Sequence, residues 1–239
     1  MMTEPPHIAQ TFDREMDSLM ATLVTMSRLV EAALTDSAAA LERLDTTAAE
    51  RLIAADAAID ALDEQINLTA AGIIARRAPT ARDLRLVLAV MRAAHSLERV
   101  GDLAKNLAKR TLPLSQSRQI DGATGTIRRM ADRVASLLDQ AMQSLTRRDA
   151  TLAAEVRARD LDIDQMYNTL FRSLLTHMLE NQANITAAMQ LHFIAKNIER
   201  AGDHATAIAE QAIYLTTGTL PGEDRPKADA TLQSASPGS

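Results

Sequence analysis

Four short segments pair acidic residues at a fixed spacing. They are Asp56-Ala-Ala-Ile-Asp60, Glu98-Arg-Val-Gly-Asp102, Asp160-Leu-Asp-Ile-Asp164 and Glu199-Arg-Ala-Gly-Asp203. On a helix, residues four apart lie on one face about one turn from each other. Two like charges placed so repel, at a cost of a few tenths of a kcal/mol when nothing binds them. Carboxylates are hard oxygen donors suited to Mg²⁺, Mn²⁺, Ca²⁺ or iron. One pair supplies too few ligands for such an ion, whereas two pairs facing each other from neighbouring helices supply four carboxylates, enough for a cluster. Two bland readings compete with this one. An acid-x-x-x-acid stretch is also what a solvated helix face looks like, and Arg99 and Arg200 are placed to neutralise the acids as salt bridges. Gly101 and Gly202 favour a closer arrangement. A glycine inside a helix costs about 1 kcal/mol relative to alanine, and its recurrence beside Asp102 and Asp203 predicts that another backbone approaches there.

These segments need helices to carry them, and the rest of the sequence supplies helices. Apolar residues recur at three and four, as in Leu19, Leu23, Met26, Val30, Leu34 and Leu41, the stripe of an amphipathic helix. Six helices are expected at roughly 9–44, 46–77, 80–112, 120–148, 150–181 and 184–217. Thr80 is the expected N-cap of the third, with Asp83 completing a variant capping box. The two halves of the chain repeat each other. Val30, Leu34 and Leu41 recur 104 residues later as Val134, Leu138 and Leu145, and Asp56, Ile59 and Asp60 as Asp160, Ile163 and Asp164. Beyond Pro79 the offset is 101, which takes Glu98 to Glu199 and Asp102 to Asp203. The fold class expected is all-α, with two tandem, pseudo-symmetric three-helix bundles of long antiparallel helices. The organisation read from this is a flexible leader at 1–8, repeats at 9–113 and 114–218, and a disordered tail at 219–239.

Composition narrows the function. Of 239 residues 46% are hydrophobic, and the net charge of −5 comes from interspersed acids and bases. A nucleic-acid binder would show a basic face with aromatic platforms, so no nucleic-acid partner is expected. There is no cysteine, which removes disulfides, thiolate metal sites and cysteine nucleophiles. No apolar run reaches the roughly 18 residues of a membrane span, residues 1–10 lack the apolar core of a signal peptide, and a cytoplasmic location is expected. Neither a Walker loop nor a dinucleotide fingerprint is present. His192 and His177 read as packing and polar-face residues. His204 reads as a packing or surface residue as well, with an accessory-ligand role beside Asp203 as the alternative. The arginines around the Pro79 turn read as a solvated bundle end or a contact for an acidic partner.

In "FDREM" (12–16), "IIARRAPTARDLRLV" (73–87), "ERVGDLAKN" (98–106) and "NIERAGDHA" (197–205), the chain resembles the PhoU family of bacterial phosphate-signalling regulators over 12–218. The resemblance implies multinuclear clusters of divalent or trivalent ions (iron, zinc, manganese or magnesium). Asp56, Asp60, Glu98 and Asp102 would hold one cluster, and Asp160, Asp164, Glu199 and Asp203 the other. It also implies a non-enzymatic negative regulator of the phosphate-starvation response and modulator of phosphate uptake. Its implied partners are the ATPase subunit of the phosphate ABC transporter, a phosphate-sensing histidine kinase, a second copy in a homodimer, and inorganic phosphate held through the metal. Asn106, a possible accessory ligand, has Ala207 as its counterpart, and His95 has Lys196, so the two clusters are not expected to be equivalent. The alternative is a metal-dependent helical-bundle enzyme, an oxidase or a phosphoesterase. An oxidase would use Glu-x-x-His pairs, and the only such spacing here, Glu4 to His7, spans two prolines.

Overall fold

The computed structural model describes residues 6–222, with side chains from residue 12 onward. Among these residues there are seven α-helices, one 3₁₀ turn and no strand. The helices are α1 (Pro6–Arg43), α2 (Thr46–Ala55), α3 (Ala57–Arg77), α4 (Ala81–Leu114), α5 (Ala123–Arg147), α6 (Ala150–Glu180) and α7 (Ile185–Thr217), and the 3₁₀ turn is Gln182–Asn184. None is long and apolar enough to cross a membrane.

The repeat read from the sequence is reproduced atom by atom at the first turn of each half. Leu44 and Arg148 both take a left-handed backbone, at φ 54° and 55°. Behind them the Asp45 amide bonds the Ala40 carbonyl and the Asp149 amide bonds that of Ser144, both at 2.9 Å. This six-to-one bond is the Schellman closure of a helix. The next helix then starts on an aspartate cap: Asp45 accepts from the Ala48 amide and Asp149 from those of Thr151 and Leu152. Residues 104 apart thus build the same turn.

The second expected helix, 46–77, is interrupted at Asp56. There the Asp56 carbonyl is shared by the amides of Ile59, at 2.8 Å, and Asp60, at 3.2 Å, the forked pattern of a locally tightened turn. Its counterpart α6 runs unbroken through Asp160. Other boundaries differ by less. α1 begins at Pro6, inside the expected leader, and residues 1–5 lie outside the described set. α4 continues past residue 112 and holds Pro113 in its last turn. Thr80 precedes α4 and its carbonyl accepts from the Leu84 amide at 2.8 Å, but its side chain caps no helix amide; its hydroxyl donates to the Asp83 carboxylate at 3.1 Å. Of the expected tail, residues 223–239 lie outside the described set.

The halves are not separate. α1 packs on α2, α3 and α4, α7 packs on α5 and α6, and the pairs α1–α5 and α4–α7 join one half to the other. One apolar core runs through both. Leu23, Met26, Val30, Leu34 and Leu41 are buried on α1, and their counterparts Ile127, Met130, Val134, Leu138 and Leu145 are buried on α5. Each such side chain contributes about 1.5–3 kcal/mol when fully buried.

Candidate metal centres

α4 and α7 run antiparallel. The Arg110 guanidinium meets Gln190 and lies 4.9 Å above the Phe193 ring, while Arg92 lies 6.0 Å from the Tyr214 ring and Arg85 packs at Gly218. Numbers rise along one helix as they fall along the other, so Glu98–Asp102 stands level with Glu199–Asp203. Both acid segments occupy the middle of this central pair, with their partner segments on α2–α3 and α6 to either side.

The glycines explain how those partners come close. A Cβ at Gly101 would lie 3.2 Å from two methyl carbons of Ile59 and 3.5 Å from Asp56 Oδ1. At Gly202 it would lie 2.8 Å from Asp160 Oδ1 and 3.2 Å from Ile163 Cδ1. The approach is therefore made by an aspartate and an isoleucine side chain, not by the backbone that the glycines led one to expect. Each glycine is the slot that lets a buried carboxylate lie against the facing helix. Asp56 is 5% exposed and Asp160 7%. Carboxylates so poorly hydrated need a counter-charge.

In the first cluster the counter-charge is Lys105. Its ammonium donates to Asp56 Oδ2 at 2.5 Å and lies 4.0 Å from Asp102 Oδ1. Arg99 sits 3.4 Å from Glu98 and 3.8 Å from Asp102, so the salt-bridge reading of that arginine holds in this arrangement. Burial raises the Glu98 pKa; Arg99 opposes this and neighbouring Asp102 adds to it. Asp60 is exposed, as is Asn106. A further carboxylate belongs here: Asp63 on α3, bonded by Asn67 at 3.0 Å, with a pKa raised by burial and drawn down by His95. Asp63 follows Asp56 by seven and Asp60 by three, so it shares their helix face, and that spacing is the signal in the sequence that betrays it.

The second cluster takes its cation from another position. Lys196 lies 2.9 Å from Glu199. Burial raises the Glu199 pKa; Lys196 opposes it, and Asp203 and Asp164 both push it further up. Three of the four expected ligands therefore sense one another. His204 is half-buried between α4 and α7. Burial lowers its pKa, Asp203 opposes that, and Arg200, His95 and Arg99 reinforce it. It thus faces the first motif as well as its own.

Among the described residues, no three His, Asp or Glu side chains converge closely enough to hold a metal ion. The donor chemistry nonetheless fits a hard cation: buried carboxylates, neighbouring aspartates that add to the raised pKa of Glu98 and Glu199, and a lysine ammonium beside each cluster. Lys105 was not singled out from the sequence, and Lys196 was noted only as the counterpart of His95. Lys105 is matched in the other half by Thr206, and Lys196 by His95, so neither belongs to the repeated pattern.

The PhoU domain family matches this chain twice, over residues 23–111 and 127–212. The "Phosphate-specific transport system accessory protein PhoU homolog" of Rhizobium meliloti (strain 1021) is 40% identical over 225 residues, covering 94% of this chain and 95% of that protein. The protein of the same name from Caulobacter vibrioides (strain NA1000 / CB15N) is 38% identical, covering 97% and 100%. The crystal structure of PhoU from Pseudomonas aeruginosa is similar at a TM-score of 0.83 and 32% identity, covering 87% of this chain and 100% of that one. That of the phosphate transport system regulatory protein PhoU from Streptococcus pneumoniae is similar at 0.81 and 28%, covering 88% and 99%.

Proposed function

We propose that this chain, which belongs to the PhoU family, is a regulatory accessory of a phosphate transport system that works by binding and not by catalysis. Its finer role is restraint of phosphate uptake and of the phosphate-starvation response when phosphate is plentiful, exerted at the cytoplasmic face between the transporter and a sensor kinase. The observation that carries this reading is the paired construction of the two clusters. Each sets one deeply buried aspartate in a glycine slot beside a glutamate whose pKa is raised by burial.

Asp56, Asp60, Glu98 and Asp102 would hold metal in the first cluster, and Asp160, Asp164, Glu199 and Asp203 in the second, with Asn106 and His204 at the margins. Bound metal supplies positive charge that neutralises the crowded carboxylates. The protein's part is to fix their spacing. Gly101 and Gly202 set how near Asp56 and Asp160 come to α4 and α7, and those two helices link the clusters. The pose of α2–α3 and of α6 against the central pair is thereby tied to occupancy, and so is the surface offered to a partner or to a second copy.

Two measurements test the reading. Titration of metal-stripped protein with Mn²⁺ or Fe²⁺ is expected to show binding that falls sharply in Asp102→Ala/Asp203→Ala; unchanged stoichiometry would remove these residues as ligands. A deletion strain in phosphate-rich medium is expected to raise alkaline phosphatase and phosphate uptake. A strain indistinguishable from its parent would refute the regulatory role.

A further inference from the structure

Exposed apolar surface is concentrated at one end of the second half. Leu175, Leu179, Ile185, Met189 and Phe193 are 38–88% exposed, and all lie on the end of α6 or the start of α7. On α6, Leu175 and Leu179 continue at four-residue steps from Tyr167 and Phe171; on α7, Ile185, Met189 and Phe193 do the same. Such steps place each set along one helix face. The two stripes meet at His192, whose ring lies 4.9 Å from that of Phe171 and 5.7 Å from that of Phe193.

The fold does not require this surface. In the first half the α6 stripe corresponds to Asp63, Asn67, Ala71 and Ala75, and Phe193 corresponds to Arg92. Ile185 and Met189 keep apolar counterparts, Leu84 and Leu88, but these are partly buried there. Three of the five Phe and Tyr residues in the chain, Tyr167, Phe171 and Phe193, are gathered at this one end. Contiguous exposed apolar surface on this scale marks an interaction site, and aromatic and arginine anchors are what such sites favour.

The rim is cationic. The Arg110 guanidinium lies 4.9 Å above the Phe193 ring; the Lys196 ammonium, 5.2 Å from the Tyr167 ring, is already paired with Glu199 at 2.9 Å. Lys109 and Arg172, next in sequence to Arg110 and Phe171, are exposed, and Glu180 at the tip lies 3.7 Å from His177. Two copies meeting through this face would set cations against cations, whereas an acidic partner meets opposite charge. The geometry points to a docking face for an amphipathic segment with an apolar stripe flanked by Asp and Glu, presented by a component of the phosphate transport system. The inference rests on the accessory role proposed above and adds the surface and the partner chemistry.

The test uses the full chain and the purified phosphate transporter of the same organism in detergent. Affinity is measured for the wild type, for Met189→Asp/Phe193→Asp, for Leu179→Asp and for Leu68→Asp, an exposed site in the first half. Leu179 is 88% exposed, so its replacement keeps the test valid should the double variant fold poorly. At least a tenfold loss is expected for the double variant and a smaller loss for Leu179→Asp, with Leu68→Asp unchanged. Wild-type affinity is expected to fall as salt rises. Wild-type binding that survives both α6–α7 variants would overturn this inference alone. So would unchanged transporter affinity accompanied by a shift from dimer to monomer in sedimentation, which would assign the face to a second copy. A wild type that does not bind the transporter would overturn the accessory role and this inference together.

Discussion

Replacing Gly202 by alanine sets two effects of similar size against each other, and the coordinates decide between them. In an open helix the change would stabilise by about 1 kcal/mol. Here the new Cβ would stand 2.8 Å from Asp160 Oδ1 and 3.2 Å from Ile163 Cδ1. Reaching ordinary contact requires the carboxylate to retreat by about 0.5 Å or more. Asp160 is buried, on a short side chain, with little room to yield. Overpacking of this kind costs about 1–3 kcal/mol, so a net loss of roughly 0–2 kcal/mol is expected for Gly202→Ala. For a chain of this length that is a fall of about 0–8 °C in melting temperature. Gly101→Ala is the internal control. Its nearest contacts are two methyl carbons of buried Ile59 at 3.2 Å and Asp56 Oδ1 at 3.5 Å, so Ile59 must give by a few tenths of an ångström and the helix-propensity gain is offset less than at Gly202. Thermal unfolding of both variants in metal-free buffer measures the contrast, and a Mn²⁺ titration reads whether the displaced Asp160 weakens the second cluster more than the first. If Gly202→Ala stabilises as much as Gly101→Ala, the slot argument is wrong.

Three further outcomes follow from named contacts. Lys105→Met leaves buried Asp56 without its ammonium and is expected to destabilise the metal-free protein by about 1–3 kcal/mol; calorimetry with and without Mn²⁺ should show a larger metal-induced rise in melting temperature than in the wild type, and an equal rise would mean that the lysine does not stand in for metal. Glu31 has a pKa raised chiefly by burial, despite the Ser27 hydroxyl donating to it at 2.7 Å. Its ionised form is therefore disfavoured in the fold, so wild-type stability declines as pH rises from its ordinary value of 4.5 through the raised one. Glu31→Gln should be more stable than wild type at pH 7, with the advantage gone below about pH 4; denaturant titrations across pH check this. Leu97→Ala, in the shared core on α4, should cost about 2–5 kcal/mol by chemical denaturation.

The apolar register was legible because both halves obey it: residues 104 apart, such as Val30 and Val134, are both buried. The acid pairs and their glycines were legible for the same reason. What escaped was whatever the halves do differently. The interruption at Asp56 depends on one shared carbonyl, for which α6 offers no parallel. The third helix was expected to end at 112, yet α4 runs on to Leu114 with Pro113 in its last turn. Lys105 escaped, and Lys196 was noted only as a mismatch with His95, because they answer the same electrostatic need from unmatched positions. His204 was read beside Asp203 alone; the antiparallel crossing of α4 and α7, which no local pattern encodes, brings charges of both motifs to bear on it.

The helices that join the halves are each other's counterparts: α1 meets α5, and α4 meets α7. A precursor of half this length would leave the same oily seam bare, and could cover it only by embracing an identical sister. Fusion of two such sisters end to end would make that embrace permanent, and would free each to drift. One tip is now greasy and aromatic, the other rich in arginine, and the two carboxylate nests are balanced by lysines of separate origin.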